Sequence, residues 1–141
     1  MCLNYEIFIY STVLIYIPSL LIIRIERIYV NPKGDNSFRI LVDRVWPRGL
    51  SKENTRIDLW LKDIAPSNTL RKWFEHDEKK WDGFKRKYFR ELDKKRNSEI
   101  IDEIIKMAKG HSSITLLYGA KEERFNNAVA LKEYLEEKTK K

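Results

Sequence analysis

The fold is decided by a stretch in which a buried strand turns into a charged loop: RILVDRVWPRG, residues 39–49. Its first half is apolar and β-branched, which is typical of a strand that is buried on both faces. Its second half carries Asp43, Arg44 and Arg48, and Pro47 cannot donate a hydrogen bond to a sheet. Ligands of open α/β sheets bind beyond the carboxyl ends of the strands, so this charged loop indicates a site.

Three other segments have the composition of strands. Residues 24–30 alternate well enough for a half-buried strand, and residues 113–118 are uncharged and rich in β-formers. In residues 56–62 every second residue from Ile57 to Leu61 is apolar, which predicts a third strand with these residues on one face. A short helix is the alternative for that segment.

Along the chain, helical spacing begins after the predicted strand at residues 56–62. Leu70, Trp73 and Phe74 stand at i, i+3 and i+4, which predicts a short amphipathic helix with all three directed inward. Ser67 or Thr69 would cap its first turn.

Three longer helices follow in the sequence. Asp77 is placed to cap one whose stripe is Trp81, Phe84, Tyr88 and Leu92. Ser98 would begin the next, which Gly110 would close from the position after its last residue, and residues 126–137 would form the final helix. The order β-β-β-α-α-α-β-α predicts one domain over residues 24–141, a small α/β sandwich with a mostly parallel four-stranded sheet flanked by helices.

An uncharged apolar run precedes this domain, and we treat residues 1–23 as a separate hydrophobic extension. Three interpretations remain open. The run from residue 7 to residue 23 could be a membrane anchor, although Pro18 interrupts it and about 20 apolar residues are needed to span a bilayer. Translation could instead start near Ile22, or the run could add an element to the core. A membrane is expected as a partner only if the segment is genuine.

The chain has a formal net charge of +7 and a pI of about 9.4. This excess favours an anionic partner, either a small molecule or nucleic acid, although a solvated basic face would look the same. The only cysteine is Cys2, and His76 and His111 are the only histidines. No disulfide framework, no Cys-based metal site and no His-rich metal centre are therefore expected, the cofactor stays unknown, and the composition fits a reducing cytoplasm.

A parallel sheet would bring the exits of three strands to one edge. These exits are rich in cations and hydrogen-bond donors, which pair with phosphate or carboxylate oxygens. The residues that we expect to bind an anionic, nucleotide-like ligand there are Arg44, Trp46, Arg48, Lys62, Ser67, Tyr118, Lys121 and Asn127.

Catalysis is the second interpretation of the same edge. Candidate acid/base groups are Asp43, Asp63, His76 and Tyr118. Each has an ordinary structural explanation, since an ion pair would hold Asp43 and a helix start would account for His76. Phosphate-binding glycine loops and the nucleophile elbow are absent from the sequence. Whether the protein is an enzyme, and in which oligomeric state it acts, stay open.

Several ordered motifs carry a family resemblance. They are DRVWPRG (43–49), WLKDIAPS (60–67), LRKWF (70–74), HD (76–77), Phe84, Tyr88, Glu91-Leu92, LLYGAK (116–121), Asn127-Ala128 and Leu131. Together they resemble the short, YeaO-like branch of domain-of-unknown-function family 488, from about Ile25 to Leu135. The resemblance implies a small cytoplasmic α/β domain of bacteria and archaea, and no established activity.

Two departures from the resembled family affect the function. Relatives commonly carry Lys-Asp where this chain has Lys121-Glu122, and a histidine where this chain has Phe125. If that histidine is catalytic in relatives, this chain lacks it, whereas a binding role needs no such group. Three hypotheses result. The first is a site for a phosphate-bearing ligand, and the second is a nucleic-acid-binding accessory protein that uses the basic helix face 79–90. The third is a hydrolase or transferase that uses Asp43 or Asp63 with a transient divalent ion.

Overall fold

The part of the chain that the computed structural model describes, residues 5–10, 13–18, 21–30, 34 and 36–140, contains two sheets and four α-helices. Strands β1 (Tyr5–Tyr10) and β2 (Val13–Pro18) pair antiparallel in a sheet of their own. Both belong to the predicted extension 1–23, whose residues 1–4, 11–12 and 19–20 lie outside the described residues. None of the helices in the described ranges is long and apolar enough to cross a membrane.

The second sheet carries the fold. It is built from β3 (Ile23–Arg27), β4 (Phe38–Leu41), β5 (Leu59–Trp60) and β6 (Ile114–Tyr118), in the spatial order β3-β6-β4-β5. All of its pairings are parallel. The predicted small α/β domain on a parallel four-stranded sheet is therefore confirmed.

The third predicted strand, residues 56–62, is wrong in extent because β5 has only two residues. The carboxylate of Asp58 accepts the Arg39 N–H at 2.8 Å and so takes the place of a backbone acceptor at that end of the ladder. A 3-10 turn, Lys62–Ile64, follows the strand. The predicted apolar face is confirmed for Leu59 and Leu61, which pack against the larger hydrophobic cluster, and wrong for Ile57, which packs against a second cluster on the other face of the sheet.

The first strand also differs from its prediction. It ends at Arg27, three residues earlier than expected, because the Val30 N–H donates to the Arg27 carbonyl oxygen at 3.0 Å and closes a turn.

Four helices follow the predicted order. They are α1 (Asn68–Phe74), α2 (Trp81–Leu92), α3 (Lys95–Gly110) and α4 (Asn127–Thr139). Ser67 caps α1 as predicted, and Asp77 caps a 3-10 turn, Glu78–Lys80, that leads into α2. The start of α3 is three residues before the predicted Ser98, and Gly110 is its last residue rather than the residue after it.

All four helices contribute to one hydrophobic cluster, on one face of the sheet. Phe84, Tyr88, Leu116 and Leu131 are each no more than 1% exposed within it. Trp73, which the sequence predicts to face inward, is 38% exposed. The opposite face is covered by the loop after β4, whose residues form a second cluster with the strands: Ile28, Leu41, Trp46, Leu50, Ile57, Trp60 and Leu117.

A buried arginine, Arg39, joins separate chain segments on this second face of the sheet. Arg39 is 2% exposed, and its Nε donates to the Arg56 carbonyl oxygen at 2.8 Å. Its Nη1 lies 3.3 Å from the carboxylate of Glu26. Because β6 lies between β3 and β4, this ion pair spans the central strand of the sheet.

We expect Arg39→Ala to lower the free energy of unfolding by about 3–5 kcal/mol, because it leaves the Glu26 carboxylate without its partner in a poorly solvated position. Urea denaturation measures the change. Arg96→Ala, on the exposed face of α3, is the matched control and should stay within about 0.5 kcal/mol of wild type. Equal effects of the two substitutions would contradict the structural role of Arg39.

Candidate functional site

The chain segments that follow the two central strands, β4 and β6, leave the sheet toward opposite faces. After β4 the chain crosses to the face of the second cluster, where Trp46 and Leu50 pack. After β6 it turns to the helical face, where α4 packs through Ala128 and Leu131. Neighbouring parallel strands whose connections leave toward opposite faces open a crevice at their carboxyl ends, and ligands of α/β proteins bind there.

A cleft of about 220 Å³ lies at this point. It is lined from both exits, from the start of α4 and from α1 with the turn that follows it. Its polar lining residues are Asp43, Arg44, Arg71, His76 and Asn127. Its apolar lining residues are Val45, Ala65, Pro66, Phe74, Phe84 and Ala120.

Asp43 joins the three elements that meet at the cleft. One carboxylate oxygen accepts the Gly119 N–H at 2.8 Å, and the other accepts from the Asn127 side-chain amide at 3.1 Å. A Cβ atom at position 119 would stand 3.3 Å from the carboxylate, so glycine permits this approach. The backbone carbonyl of Asp43 accepts from the Trp60 indole at 2.8 Å. The ion pair expected with Arg44, Arg48 or Lys121 is not among the contacts of the described residues.

Burial raises the pKa of the Asp43 carboxyl above its ordinary value of 3.8. The hydrogen bonds from Gly119 and Asn127 lower that pKa, as do the positive charges of His76 and Arg71, but desolvation is the largest contribution.

Arg44 has an unpaired donor. Its Nη2 donates to the Ala65 carbonyl oxygen at 3.1 Å, which holds the guanidinium against the segment that precedes α1. Its Nε is buried and has no hydrogen-bond partner in the described part of the chain. Leaving a buried N–H unpaired costs about 1–3 kcal/mol, and a charged group costs more. A ligand atom or a water molecule with a free lone pair would satisfy it.

His76 stands on a strained turn at the rim of the cleft. Glu75 and His76 have φ values of 47° and 55°, a left-handed conformation that non-glycine residues adopt rarely. The His76 Nδ1 atom lies 2.9 Å from the Phe125 carbonyl oxygen. Because a carbonyl can only accept, the proton is on Nδ1, and Nε2 is left to contact a ligand.

Arg71 and the N-terminus of α4 complete the lining of the cleft. Sequence reasoning missed Arg71, although it stands within the LRKWF motif, because nothing in that motif shows which side of α1 faces the strand ends. Asn127 is the first residue of α4, and Asn126 caps this helix by accepting the Val129 N–H at 3.0 Å. The positive end of a helix of 13 residues therefore lies at the cleft.

Trp46 and Arg48, two of the predicted ligand residues, lie outside the cleft lining. Trp46 belongs to the second cluster, where its indole donates to the Leu50 carbonyl oxygen at 2.7 Å and its ring meets Trp60 edge-on at 5.3 Å. Arg48 is exposed, and its carbonyl oxygen accepts from the Tyr29 hydroxyl at 2.9 Å.

Lys62 and Asp63 line a separate cavity of about 200 Å³ beside Trp60. Asp43 and Asp63, the two candidate catalytic carboxylates, are therefore in different cavities. Ser67 has a structural role: its hydroxyl donates to the Glu91 carboxylate at 2.6 Å and accepts the Leu70 N–H at 3.2 Å.

Two further predicted residues follow β6. Tyr118 is 4% exposed in the main core, and burial raises the pKa of its hydroxyl. Lys121 is exposed and does not line the cleft. Of the residues predicted for the strand edge, the cleft therefore gathers Asp43, Arg44, His76 and Asn127.

The polar chemistry of the cleft is dominated by donors. Two guanidiniums and a helix N-terminus face one carboxylate whose pKa is raised. Among the residues that the structure describes, no group of three or more His, Cys, Asp and Glu side chains is arranged to hold a metal ion.

Comparison with known proteins identifies the family. A family model described as the inactive DUF488-N3 subclade matches residues 22–141, and the chain belongs to this family. The chain is 34% identical over 113 residues to the uncharacterized protein Rv3073c of Mycobacterium tuberculosis, which covers 80% of this chain and 92% of that protein. It is 35% identical over 114 residues to the uncharacterized protein YeaO of Escherichia coli, with 80% and 96% covered. No solved structure matches the chain. The expected resemblance to the YeaO-like branch of family 488 is confirmed.

The raised pKa of Asp43 predicts a pH dependence of stability. Between pH 3.8 and the higher pKa of the folded state, the unfolded chain loses the Asp43 proton first, so this residue makes the free energy of unfolding fall as pH rises. Urea denaturation of wild type and Asp43→Asn across this range isolates the effect, since other carboxyls cancel in the difference. The stability of wild type relative to the variant should decrease with rising pH; a flat or rising difference would contradict the burial of Asp43.

Proposed function

We propose that this member of the family is a binding domain for a small phosphate-bearing anion, which occupies the cleft between the exits of β4 and β6. The observation that carries the proposal is the Arg44 Nε–H, a buried charged donor that has no hydrogen-bond partner in the described part of the chain and belongs to a residue of the cleft lining. A phosphate oxygen has the charge and the lone pairs that such a donor lacks.

The other donors of the cleft support the same ligand class. Arg71 brings a second guanidinium, and the N-terminus of α4 adds the positive end of a helix. Guanidiniums and helix N-termini are the groups that proteins use most for phosphate.

The volume of the cleft and the residues that line it limit the size and chemistry of the ligand. About 220 Å³ is less than the roughly 300–1,000 Å³ of typical ligand pockets, so only the phosphate-bearing end of a nucleotide would be enclosed. Val45, Phe74 and Ala120 would contact an apolar or planar part next to the phosphate.

A binding role fits the family better than a catalytic one. The matching family model is described as an inactive subclade. Of the two candidate carboxylates for hydrolysis or group transfer, Asp63 lines a separate cavity, and both oxygens of Asp43 already accept hydrogen bonds from Gly119 and Asn127. Binding requires neither a second carboxylate nor a metal ion.

The proposal predicts a ligand-dependent thermal shift that requires the cleft arginines. In a panel of inorganic phosphate, sugar phosphates and nucleoside monophosphates, at least one compound should raise the Tm, since a ligand at 100 times its Kd stabilises by about 2.7 kcal/mol. For that compound, calorimetry should show that Arg71→Ala or Arg44→Lys weakens binding by roughly tenfold or more, which corresponds to about 1.5–3 kcal/mol for a hydrogen bond to a charged group.

Arg48→Ala is the matched control, because it removes an exposed arginine from the loop after β4 that does not line the cleft. It should bind like wild type. If no compound of the panel shifts the Tm, or if Arg48→Ala loses as much affinity as Arg71→Ala, the proposal is wrong.

A further inference from the structure

Trp73 is exposed on α1 and is surrounded by cations of α2 and the turn before it. The Nζ atoms of Lys80 and Lys87 lie 5.3 Å and 5.2 Å from its ring centroid, and the Lys80 Nζ also donates to the Trp73 carbonyl oxygen at 2.8 Å. A Cβ atom at Gly83 would meet the ring at 3.1 Å and the Arg86 guanidinium at 3.8 Å. We call Trp73, Lys80, Gly83, Arg86 and Lys87 the Trp73 surface.

The Trp73 surface is independent of the cleft. Arg71 and Trp73 are two residues apart on α1, which separates them by about 200° around the helix axis. Leu70 and Phe74 lie between them on the buried side. Arg71 therefore lines the cleft on one flank of α1, and Trp73 meets α2 on the other.

The chemistry of this surface combines an aromatic ring with several mobile cations. Each cation over an exposed ring contributes about 0.5–1 kcal/mol, which offsets part of the cost of leaving an indole in water. Proteins that bind single-stranded nucleic acid use the same combination, since bases stack on aromatic rings and nearby cations pair with the phosphates. Lys72 on α1, Lys79 in the turn before α2 and Arg90 on α2 are also exposed and extend the positive potential.

We propose that the Trp73 surface binds single-stranded nucleic acid, with one base stacked on Trp73 and the adjoining phosphates paired with Lys80, Arg86 and Lys87. The exposed acidic residues Glu78 and Asp82 are close to these cations in the sequence, so we expect a contact of only a few nucleotides. A paired duplex keeps its bases stacked on one another and offers no free base to the indole.

An anionic membrane is the competing partner, and the burial pattern of α2 disfavours it. A helix that lies in a membrane interface needs an exposed apolar face. Phe84, Tyr88 and Leu92, the apolar residues at helical spacing in α2, are each no more than 1% exposed in the core.

Fluorescence anisotropy tests the proposal with labelled single-stranded and duplex 12-mers of one sequence. The salt concentration is varied from about 50 to about 200 mM, a range over which screening of charges increases. The single strand should bind more tightly than the duplex. Trp73→Ala should weaken its binding by about tenfold, and Trp73→Phe, which keeps a ring, should retain most of it. Lys80→Ala combined with Lys87→Ala should lower the slope of log K against log salt by about 1.4.

Two controls separate this surface from general charge and from the cleft. Lys94→Ala combined with Lys95→Ala removes two exposed lysines at the start of α3 and should bind the single strand almost as wild type does. Arg71→Ala, which impairs the proposed phosphate cleft, should also leave this binding intact. Loss of single-strand binding in Arg71→Ala together with normal binding in Trp73→Ala would overturn the inference and assign the strand to the cleft.

Three other results would also overturn it: no binding of the single strand at 50 mM salt, equal loss in the Lys94/Lys95 control, or unchanged binding in Trp73→Ala. Co-sedimentation with vesicles of phosphatidylserine and phosphatidylcholine is the comparison. Vesicle binding that depends on Trp73, without binding of the oligonucleotide, would assign the surface to a membrane instead.

Discussion

The candidate site depends on the hydrogen bonds that the Asp43 carboxylate accepts. Asp43 follows β4, accepts the backbone N–H of Gly119 after β6, and accepts from Asn127 at the start of α4. Three parts of the chain that are distant in sequence are thereby fixed at the point where the exits of the two central strands diverge. The cleft is open because those exits part, and its walls keep their positions because Asp43 joins them.

This arrangement explains why Asp43 suits positioning better than catalysis. Both of its oxygens already accept hydrogen bonds, and burial rather than a second carboxylate raises its pKa. The next residue, Arg44, differs in this respect, because its buried Nε–H has no hydrogen-bond partner among the residues that the structure describes. Asp43 and Arg44 are adjacent residues of one loop. The protein itself satisfies the acceptor oxygens of Asp43, whereas the Nε–H donor of Arg44 is left for a ligand or water.

Much of the fold could be predicted from the sequence because hydrophobic spacing determines it. The buried stripes of α2 and α4, the Ser67 cap and the central strands β4 and β6 follow from periodicity and capping rules. The extent of β5 could not be predicted, since the Asp58 side chain takes a ladder position and only the fold shows it. Trp73 looked like a core residue because the sequence does not reveal that Gly83 provides a place for its ring at the surface.

The site was predictable in location and only partly in membership. The rule for strand ends found Asp43 and Arg44, but Lys62 and Asp63 leave β5 into a separate cavity because β5 is an edge strand. Trp46 turns to the opposite face, where the second cluster buries it in part. Arg71 enters the cleft through the packing of α1, which no local pattern encodes.

The central claim is that the unpaired donor of Arg44 binds a phosphate group, and NMR of the arginine Nε–H resonances during titration with inorganic phosphate tests it most directly. We predict saturable shifts of the Arg44 and Arg71 Nε–H signals, together with the Gly119 amide, while the Arg48 signal moves no more than those of other exposed arginines. An Arg44 Nε–H signal that stays unchanged while exposed arginines shift would contradict the claim.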